Sequence, residues 1–295
     1  MRSALERPAF GWRIAVQVTL LSKSKRRMVL EVCKTRMEIF TNILDQGRFR
    51  STNAAWNMLR LNDPWSVGYV STLIESQPFS EKEEWETFYY ESGRQRESLI
   101  NELSEQERTI LNDSLLKKRN PAAIDRLSWR LKELNLQYGR TTNQMAEKGR
   151  ILFDHLQGSG TNITLAECIE CVRFRTICET WNGIVIRERN TVATLGHSFS
   201  NVEFVKTTGA FDHQYAVDYE IFAQGKAVCG IQVKPKSYMS EAPYVKKARE
   251  ANREKNRLYK QEFGRNVYDV IAESNGAIIN KPIFQFIQQE IATAR

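Results

Sequence analysis

The stretch from Tyr215 to Tyr238, YAVDYEIFAQGKAVCGIQVKPKSY, constrains the fold more than any other part of the chain. Two runs rich in β-branched and aromatic residues flank the sequence Ala-Gln-Gly-Lys at 223–226, and this pattern predicts two strands joined by a tight turn. Side chains alternate between the two faces of a strand. We therefore expect a small sheet with one polar and one apolar face, and the rest of the chain is interpreted around it.

The polar face of this predicted hairpin carries four side chains that suit phosphate chemistry. Asp218 and Glu220 share one face of the first strand, and Gln232 and Lys234 share one face of the second. The opposite, apolar face is predicted to contain Val217, Tyr219, Ile221, Cys229, Ile231 and Val233. Two acids, an amide and an amine on one side of a sheet are suited to a divalent metal ion and a phosphate, because hard oxygen donors bind Mg²⁺.

Composition narrows the class of protein. The chain has 295 residues and a formal net charge of +8, which favours an anionic partner such as nucleic acid or a membrane surface. Its five cysteines follow no disulfide framework, so we expect a reducing compartment and a cytoplasmic protein. The sequence contains no apolar run of the roughly 20 residues that a membrane span needs, so we expect no membrane partner.

Three segments are predicted from the pattern along the chain. Residues 1–27 are interpreted as an N-terminal extension, disordered or upstream of a true start at Met28. Residues 28–160 read as a helical region, beginning with an amphipathic helix from Met28 to about Asp45. Gly158-Ser159-Gly160 is a plausible linker, and residues 161–295 read as a mixed α/β domain.

The predicted strands all lie in the α/β segment, residues 161–295. A helix beginning after Thr164 is expected to be interrupted at Asn182-Gly183 and to be followed by a second helix. The expected strands are Val202 to Thr207, Tyr215 to Phe222, Lys226 to Val233 and Val267 to Ile271, and the expected later helices are Tyr244 to Phe263 and Pro282 to Ala292. Strands bracketed by helices predict an α/β fold with a small mixed sheet.

Other motifs indicate packing rather than chemistry. Cys168 and Cys171 form a lone CxxC, whereas a zinc site needs four ligands, so we interpret them as packing residues of a helix. The sequence contains neither GxxxxGK[ST] nor GxGxxG, so a nucleotide-binding loop is not indicated.

An acid followed about a dozen residues later by [E/Q]-x-K is the minimal signature of metal-dependent nucleases of the PD-(D/E)xK type. Asp218 would anchor the metal, Gln232 would offer a carbonyl oxygen, and Lys234 would position or deprotonate water or stabilise developing charge. The more ordinary interpretation is the exposed polar face of an edge hairpin.

The amide at Gln232 departs from this signature, because an amide binds Mg²⁺ less strongly than a carboxylate. Glu220 could supply the missing acid, and Glu188, on the preceding helix, is a further candidate with Glu179 second. Both helical glutamates could equally be solvated surface charges.

A basic, tyrosine-containing stretch follows Lys234 and is predicted to form a DNA-binding helix. Cations placed along one helix can contact phosphates and reach base edges. An ordinary solvated face with Glu–Lys pairs is the alternative. The candidate DNA-binding residues are Lys236, Lys246, Lys247, Arg249, Arg253 and Lys255.

The second half of the chain resembles the MjaI-like type II restriction endonucleases. The resemblance is carried by the segments TWNGIVIRERNT, FDHQYAVDYEIF, GIQVKPKSY and VYDVIAESNGAIIN, with NDPWSVGYVSTLI similar in the first half. It implies a PD-(D/E)xK-type core and Mg²⁺-dependent cleavage of both strands of duplex DNA at a short palindromic site, CTAG being the sequence associated with that family. It implies a catalytic set of Asp218, Gln232 and Lys234, joined by Glu188.

The resemblance further implies a homodimer and a cognate DNA methyltransferase in the same system, because a two-fold site suits a two-fold protein. The helical half is expected to supply dimer contacts and part of the DNA cleft. Three alternatives remain open at this point: a non-catalytic DNA-binding protein, a repair or recombination nuclease of the same fold, and a helical interaction protein whose charges only solvate it.

Overall fold

The computed structural model describes residues 36–111, 121–199 and 201–293. The chain forms two compact units, one comprising Glu38–Asn182 and a second that contains Gly183–Arg295. The first unit is helical and the second combines helices with a four-stranded sheet, which confirms the predicted mixed α/β class. Among the described residues, no helix is both long enough and apolar enough to cross a bilayer.

Most of the described helices of the first unit are short, and two are longer. A buried leucine cluster, Leu103, Leu127, Leu131 and Leu134, forms one of its cores. The predicted linker at 158–160 lies within this unit, and the predicted boundary at 160/161 stays a prediction. Its helices are α1 Gln46–Ser51, α2 Asn53–Met58, α3 Pro64–Val67, α4 Val70–Glu75, α5 Lys82–Asn101, α6 Glu105–Leu111, α7 Pro121–Asp125, α8 Trp129–Leu136, α9 Thr142–Gln157, α10 Leu165–Arg173 and α11 Glu179–Trp181.

The helix predicted from Met28 to Asp45 is wrong where the structure can be compared with it. Residues 36–45 are not helical, and helix α1 begins only at Gln46. Phe40 in this segment stacks on Phe174 with ring centroids 4.5 Å apart, and the Glu38 backbone N–H donates to Asn182 Oδ1 at 2.8 Å. These tertiary contacts outweigh the amphipathic pattern. The predicted extension at 1–27 lies outside the described residues.

The second unit contains helices, a turn of 3-10 helix and all four strands. Its elements are α12 Arg187–Ser198, β1 Val202–Lys206, α13 Gly209–Tyr215, β2 Tyr219–Ala223, β3 Lys226–Lys234, the 3-10 turn Lys236–Met239, α14 Pro243–Phe263, β4 Val267–Ile271 and α15 Ile283–Thr293. The predicted interruption at Asn182-Gly183 is wrong, because residues 165–198 remain helical throughout, with π-helical turns at Phe174–Cys178 and Asn182–Ile186.

The four strands form one mixed sheet in the order β1-β2-β3-β4. Strands β1, β2 and β3 are antiparallel neighbours, and β4 is parallel to β3. A parallel pair needs a crossover connection, and α14 supplies it. The register places Tyr219 opposite Ile231 in the hairpin and Gln232 beside Asp269 in the parallel pair.

The turn predicted at 223–226 is confirmed. Ala223 pairs with Lys226, and the two residues between them, Gln224 and Gly225, have φ angles of 52° and 76°. Positive φ at both central residues gives the hairpin turn whose twist matches that of the flanking strands. A register shift between Ile221 and Phe222 adds a bulge on the β3 side of this hairpin.

One face of the sheet is apolar, as predicted, and Val217 is an exception. Tyr219, Ile221, Cys229 and Ile231 are buried there against residues of α12 and α15. Val217 was predicted to join this face, but it packs instead with Tyr215 and Tyr259 in a separate cluster beside α13 and α14.

The cause of this exception is the local backbone geometry before β2. Tyr215 was predicted to begin a strand but ends α13, and Ala216 follows in the left-handed region with φ 55°. That residue turns the chain, so the alternation of faces is not continuous from Tyr215 into β2. The Val217 side chain then fits over Gly230, whose absent Cβ would lie 3.0 Å from a Val217 methyl carbon.

Candidate active site

Asp218 lies at the sheet edge where β1 and β3 end and β2 begins, and its backbone and side chain are both fixed. Its N–H donates to Ile231 O at 2.9 Å, and its carbonyl accepts from Thr207 N at 3.0 Å. Its Oδ2 accepts from the backbone N–H of Val233 at 2.6 Å. The side chain is only 6% exposed. The hairpin therefore holds this carboxylate in one orientation.

Gln232 and Lys234 follow on β3, on the face that the alternation predicted. Gln232 is 3% exposed, and its Oε1 is buried without a hydrogen-bond partner. Lys234 is half-buried at the end of the strand, with Nζ 5.6 Å from the centroid of the Tyr238 ring. The structure thus brings Asp218, Gln232 and Lys234 to one edge of the sheet.

Glu188, on the first turn of α12, forms an ion pair with a lysine at this edge of the sheet. Its Oε2 forms an ion pair with Lys206 Nζ at the end of β1. Burial raises the pKa of Glu188 to about 7, with Lys206 opposing the shift and the Asp218 charge adding to it. Burial lowers the pKa of Lys206, but the Glu188 and Asp218 charges outweigh burial and raise it overall, so this lysine stays cationic.

Glu220 is held away from such a role by other partners. Its Oε1 accepts from the Tyr259 hydroxyl at 2.6 Å and lies 3.1 Å from Arg265 Nη2. Both partners lie on or just after α14, so Glu220 anchors that helix to the sheet. Glu179, the second helical candidate, belongs to the helical unit, where its Oε2 lies 3.9 Å from Arg175.

Two further acids, Asp212 and Asp269, join Asp218 and Glu188 in an acidic cluster, since the charge of Asp218 acts on each of the other three. Burial raises the pKa of Asp212, and the Asp218 charge raises it further, while nearby lysines oppose the shift. Burial also raises the pKa of Asp269, where Lys234 opposes the shift and Asp218 adds to it. Burial is the main cause of both shifts and the negative charge of Asp218 adds to it, a combination that is common at functional sites.

Sequence reasoning missed Lys206, Asp212 and Asp269. Lys206 and Asp269 come to the site only through the register of β1 and β4 with the hairpin. One signal was present for Asp269, because it is the lone charged residue within the otherwise apolar strand VYDVI. Asp212 lies on α13, just before the left-handed turn at Ala216.

The donor set suits a divalent cation that shares its coordination with a substrate. Among the described residues, no three His, Cys, Asp or Glu side chains are grouped so as to hold a metal ion by themselves. Mg²⁺ is usually bound by one or two carboxylates, with water and substrate phosphate oxygens completing its shell. Asp218 and the unpartnered Gln232 Oε1 meet that description, so these residues fit such an ion.

The basic stretch forms α14, preceded by the 3-10 turn that carries Lys236. Two of the six candidate cations are engaged within the protein. Arg249 donates to the carbonyls of Tyr238 and Ser240 at 2.8 and 2.9 Å, and Lys246 pairs with Glu241 at 2.9 Å.

The other cations of the stretch are placed differently. Lys236 and Lys247 are exposed. Arg253 and Lys255 act electrostatically on Asp269 and Asp212, respectively, so this pair borders the acidic cluster.

Comparison with known proteins identifies the family. The model of the MjaI restriction endonuclease family matches residues 52–274, which is more than half of the chain and includes every residue of the acidic cluster. No curated protein and no solved structure gives a significant match. The chain therefore belongs to the MjaI restriction endonuclease family.

Proposed function

We propose that this protein is a type II restriction endonuclease that hydrolyses both strands of duplex DNA at a short palindromic site, with Mg²⁺ as its cofactor. The observation that supports the proposal is the convergence of Asp218, Gln232 and Lys234 at one sheet edge, beside cations of α14, in a chain of this family. CTAG is the proposed site, on the basis of the family resemblance alone.

The chain's own residues would divide the chemistry among them. A bound Mg²⁺ ion would supply charge neutralisation at the scissile phosphate and lower the pKa of the attacking water. The Val233 N–H fixes the orientation of the Asp218 carboxylate, which would hold the ion. Gln232 would add its buried carbonyl oxygen. Lys234 would orient the water or stabilise charge developing on the phosphate oxygens.

Glu188 and Lys206 would act beside this set rather than in it. Their ion pair places a cation next to Asp218, where it would balance the carboxylates before DNA and metal arrive. We further propose a homodimer, because a palindromic site presents the same half-site twice to a two-fold protein. Sedimentation of the protein with and without a CTAG duplex would measure that assembly. A cognate methyltransferase would protect the same sites in the host.

A plasmid digest tests the proposal directly. Purified protein with supercoiled plasmid and Mg²⁺ is expected to give discrete bands, and EDTA is expected to abolish them. A short duplex containing CTAG should be cut and a duplex with the site scrambled should not. Smearing without discrete bands would favour a repair or recombination nuclease. Salt-sensitive DNA binding without cleavage in any divalent metal would favour a non-catalytic binding protein.

Replacing Lys255 with alanine is expected to weaken DNA binding without changing which sequence is preferred. Lys255 borders the acidic cluster, where a phosphate must approach, and a lost phosphate contact lowers the slope of log K against log salt by about 0.9. Fluorescence anisotropy of a labelled duplex, measured in Ca²⁺ over a range of NaCl concentrations, would give that slope.

The matched control for this measurement is Arg257→Ala on the same helix. The Arg257 guanidinium is already paired with Glu254 at 2.5 Å, so its removal should leave the salt slope nearly unchanged. Equal salt slopes for the wild-type protein and the Lys255 variant would contradict a contact between Lys255 and a DNA phosphate.

A further inference from the structure

The proposed metal site has only one carboxylate, because Gln232 offers an amide oxygen where the nuclease signature has an acid. Its side chain is almost fully buried, and its Oε1 accepts no hydrogen bond from the protein. An amide oxygen in such a place is normally satisfied, because burial removes the water that would otherwise bond to it. The orphaned oxygen points to a ligand that the protein chain does not supply.

Asp269 lies beside this amide on the neighbouring strand. Strands β3 and β4 are parallel and pair Gln232 with Asp269, so the two side chains leave the sheet on the same face. Asp269 Oδ1 is likewise buried without a partner. Carboxylate and amide oxygens are both acceptors, so neither can satisfy the other. A cation placed between them would satisfy both.

The position of Asp269 is fixed by a residue beyond the strand. Asn280 Nδ2 donates to the Asp269 carbonyl at 2.8 Å, and Asn280 Oδ1 accepts from Ile271 N–H at 2.8 Å. This double contact pins β4 on its outer side, where no further strand of the described chain pairs with it. The Asp269 side chain is therefore held toward the face that carries Gln232.

Two of the other acids near the site are already engaged. Glu220 is bonded to Tyr259 and Arg265, and Glu188 is paired with Lys206. Asp212 lies on helix α13 and not on a strand that pairs with Gln232. Among the acids discussed, Asp269 alone combines adjacency to Gln232 with an unpartnered buried oxygen.

We propose that Asp269 supplies the metal-binding carboxylate that Gln232 lacks, so that a hard divalent cation is held by Asp218, Gln232 Oε1 and Asp269. The inference rests on the proposed function, because it concerns the same site. It moves the second acid of the nuclease signature from β3 to the adjacent strand β4. Two carboxylates and one carbonyl oxygen, with water and phosphate, form a donor set that Mg²⁺ accepts.

Calorimetric titration with Mn²⁺, in the absence of DNA, tests the assignment without relying on activity. Asp269→Asn is expected to weaken Mn²⁺ binding at least tenfold while leaving the thermal unfolding temperature in EDTA unchanged. Asp212→Asn is the matched control, because it also removes one negative charge close to Asp218. Its effect on Mn²⁺ affinity is expected to be several-fold smaller.

Two further variants test where the second carboxylate must stand. Gln232→Glu in the Asp269→Asn background returns a carboxylate to the adjacent strand, and it is expected to restore Mn²⁺ affinity to within a few-fold of the wild-type value. Asp269→Glu, which retains the charge, is expected to fold and to bind Mn²⁺ more tightly than Asp269→Asn.

The outcomes separate this inference from the proposed function. Suppose that the wild-type protein cuts DNA and binds Mn²⁺, that Asp269→Asn binds Mn²⁺ equally tightly, and that Gln232→Glu adds nothing. This result would overturn the role of Asp269 but would not contradict the proposed nuclease activity. A wild-type protein that neither binds Mn²⁺ nor cuts DNA under any divalent metal would overturn both.

Discussion

Replacing Asp218 with asparagine is expected to abolish DNA cleavage while the protein still binds duplex DNA. The carboxylate would be the main charged ligand of the metal, and its loss removes the charge that holds the ion at the scissile phosphate. We expect the single-turnover cleavage rate to fall by about 10³-fold or more, which corresponds to roughly 4 kcal/mol of transition-state stabilisation. Cleavage of a CTAG duplex in Mg²⁺ and anisotropy of the same duplex in Ca²⁺ would measure the two properties separately.

Asparagine is the informative substitution because of the contact that Asp218 makes inside the hairpin. Oδ2 accepts from Val233 N–H at 2.6 Å, and an asparagine carbonyl can keep that hydrogen bond. Alanine would leave the buried N–H without a partner, which costs about 1–3 kcal/mol of folding free energy. An Asp218→Asn variant that cuts at the wild-type rate with an unchanged melting temperature would contradict the assignment of the metal ligand.

Replacing Lys234 with methionine is expected to slow cleavage by about 10²–10⁴-fold with little change in metal affinity. Methionine keeps much of the apolar stem but removes the ammonium group, whose Nζ lies 5.6 Å from the centroid of the Tyr238 ring. Without that group, nothing at the end of β3 can orient the water or offset charge on the phosphate oxygens. Single-turnover rates at saturating protein, with Mn²⁺ titration of the same variant, would separate chemistry from metal binding.

Two companion variants sharpen the Lys234 experiment. Lys226→Met removes an exposed lysine at the other end of the same strand, at the hairpin turn, and is expected to cut at the wild-type rate. Lys234→Arg keeps the positive charge but cannot release a proton near neutral pH. If Lys234→Arg recovers part of the cleavage rate, Lys234 acts by stabilising charge. If Lys234→Arg cuts slowly and its pH profile is altered, Lys234 acts by transferring a proton. Full cleavage activity in Lys234→Met would contradict a role for Lys234 in the reaction.

The neutral Gln232 changes how this family member would assemble its site. In the minimal signature one strand provides both the second acid and the lysine, and the register then fixes them together. Here β3 provides the amide and the lysine, while a carboxylate with an unpartnered buried oxygen stands beside the amide on β4. The crossover helix α14 would then matter for chemistry as well as for DNA contact, because it determines how β4 meets β3.

Sequence-based prediction succeeded where interactions are local. The turn at 223–226, the strand Val267–Ile271 and the placement of Asp218, Gln232 and Lys234 depend on turn chemistry and on the two-residue period of a strand. Prediction failed where a distant contact decided the conformation. The aromatic stacking of Phe40 replaced a predicted helix, and the left-handed Ala216 moved Val217 to another cluster.

What the sequence determined by itself is the hairpin, its polar face and the basic helix that follows, because each depends on residues close together in the chain. Only the tertiary structure decided which acids share the site. It joined Glu188 to Lys206, committed Glu220 to Tyr259 and Arg265, and brought Asp269 beside Gln232. The physical reason is that strand register and helix packing bring together residues that are far apart in the chain, and neither is visible in the spacing along one strand.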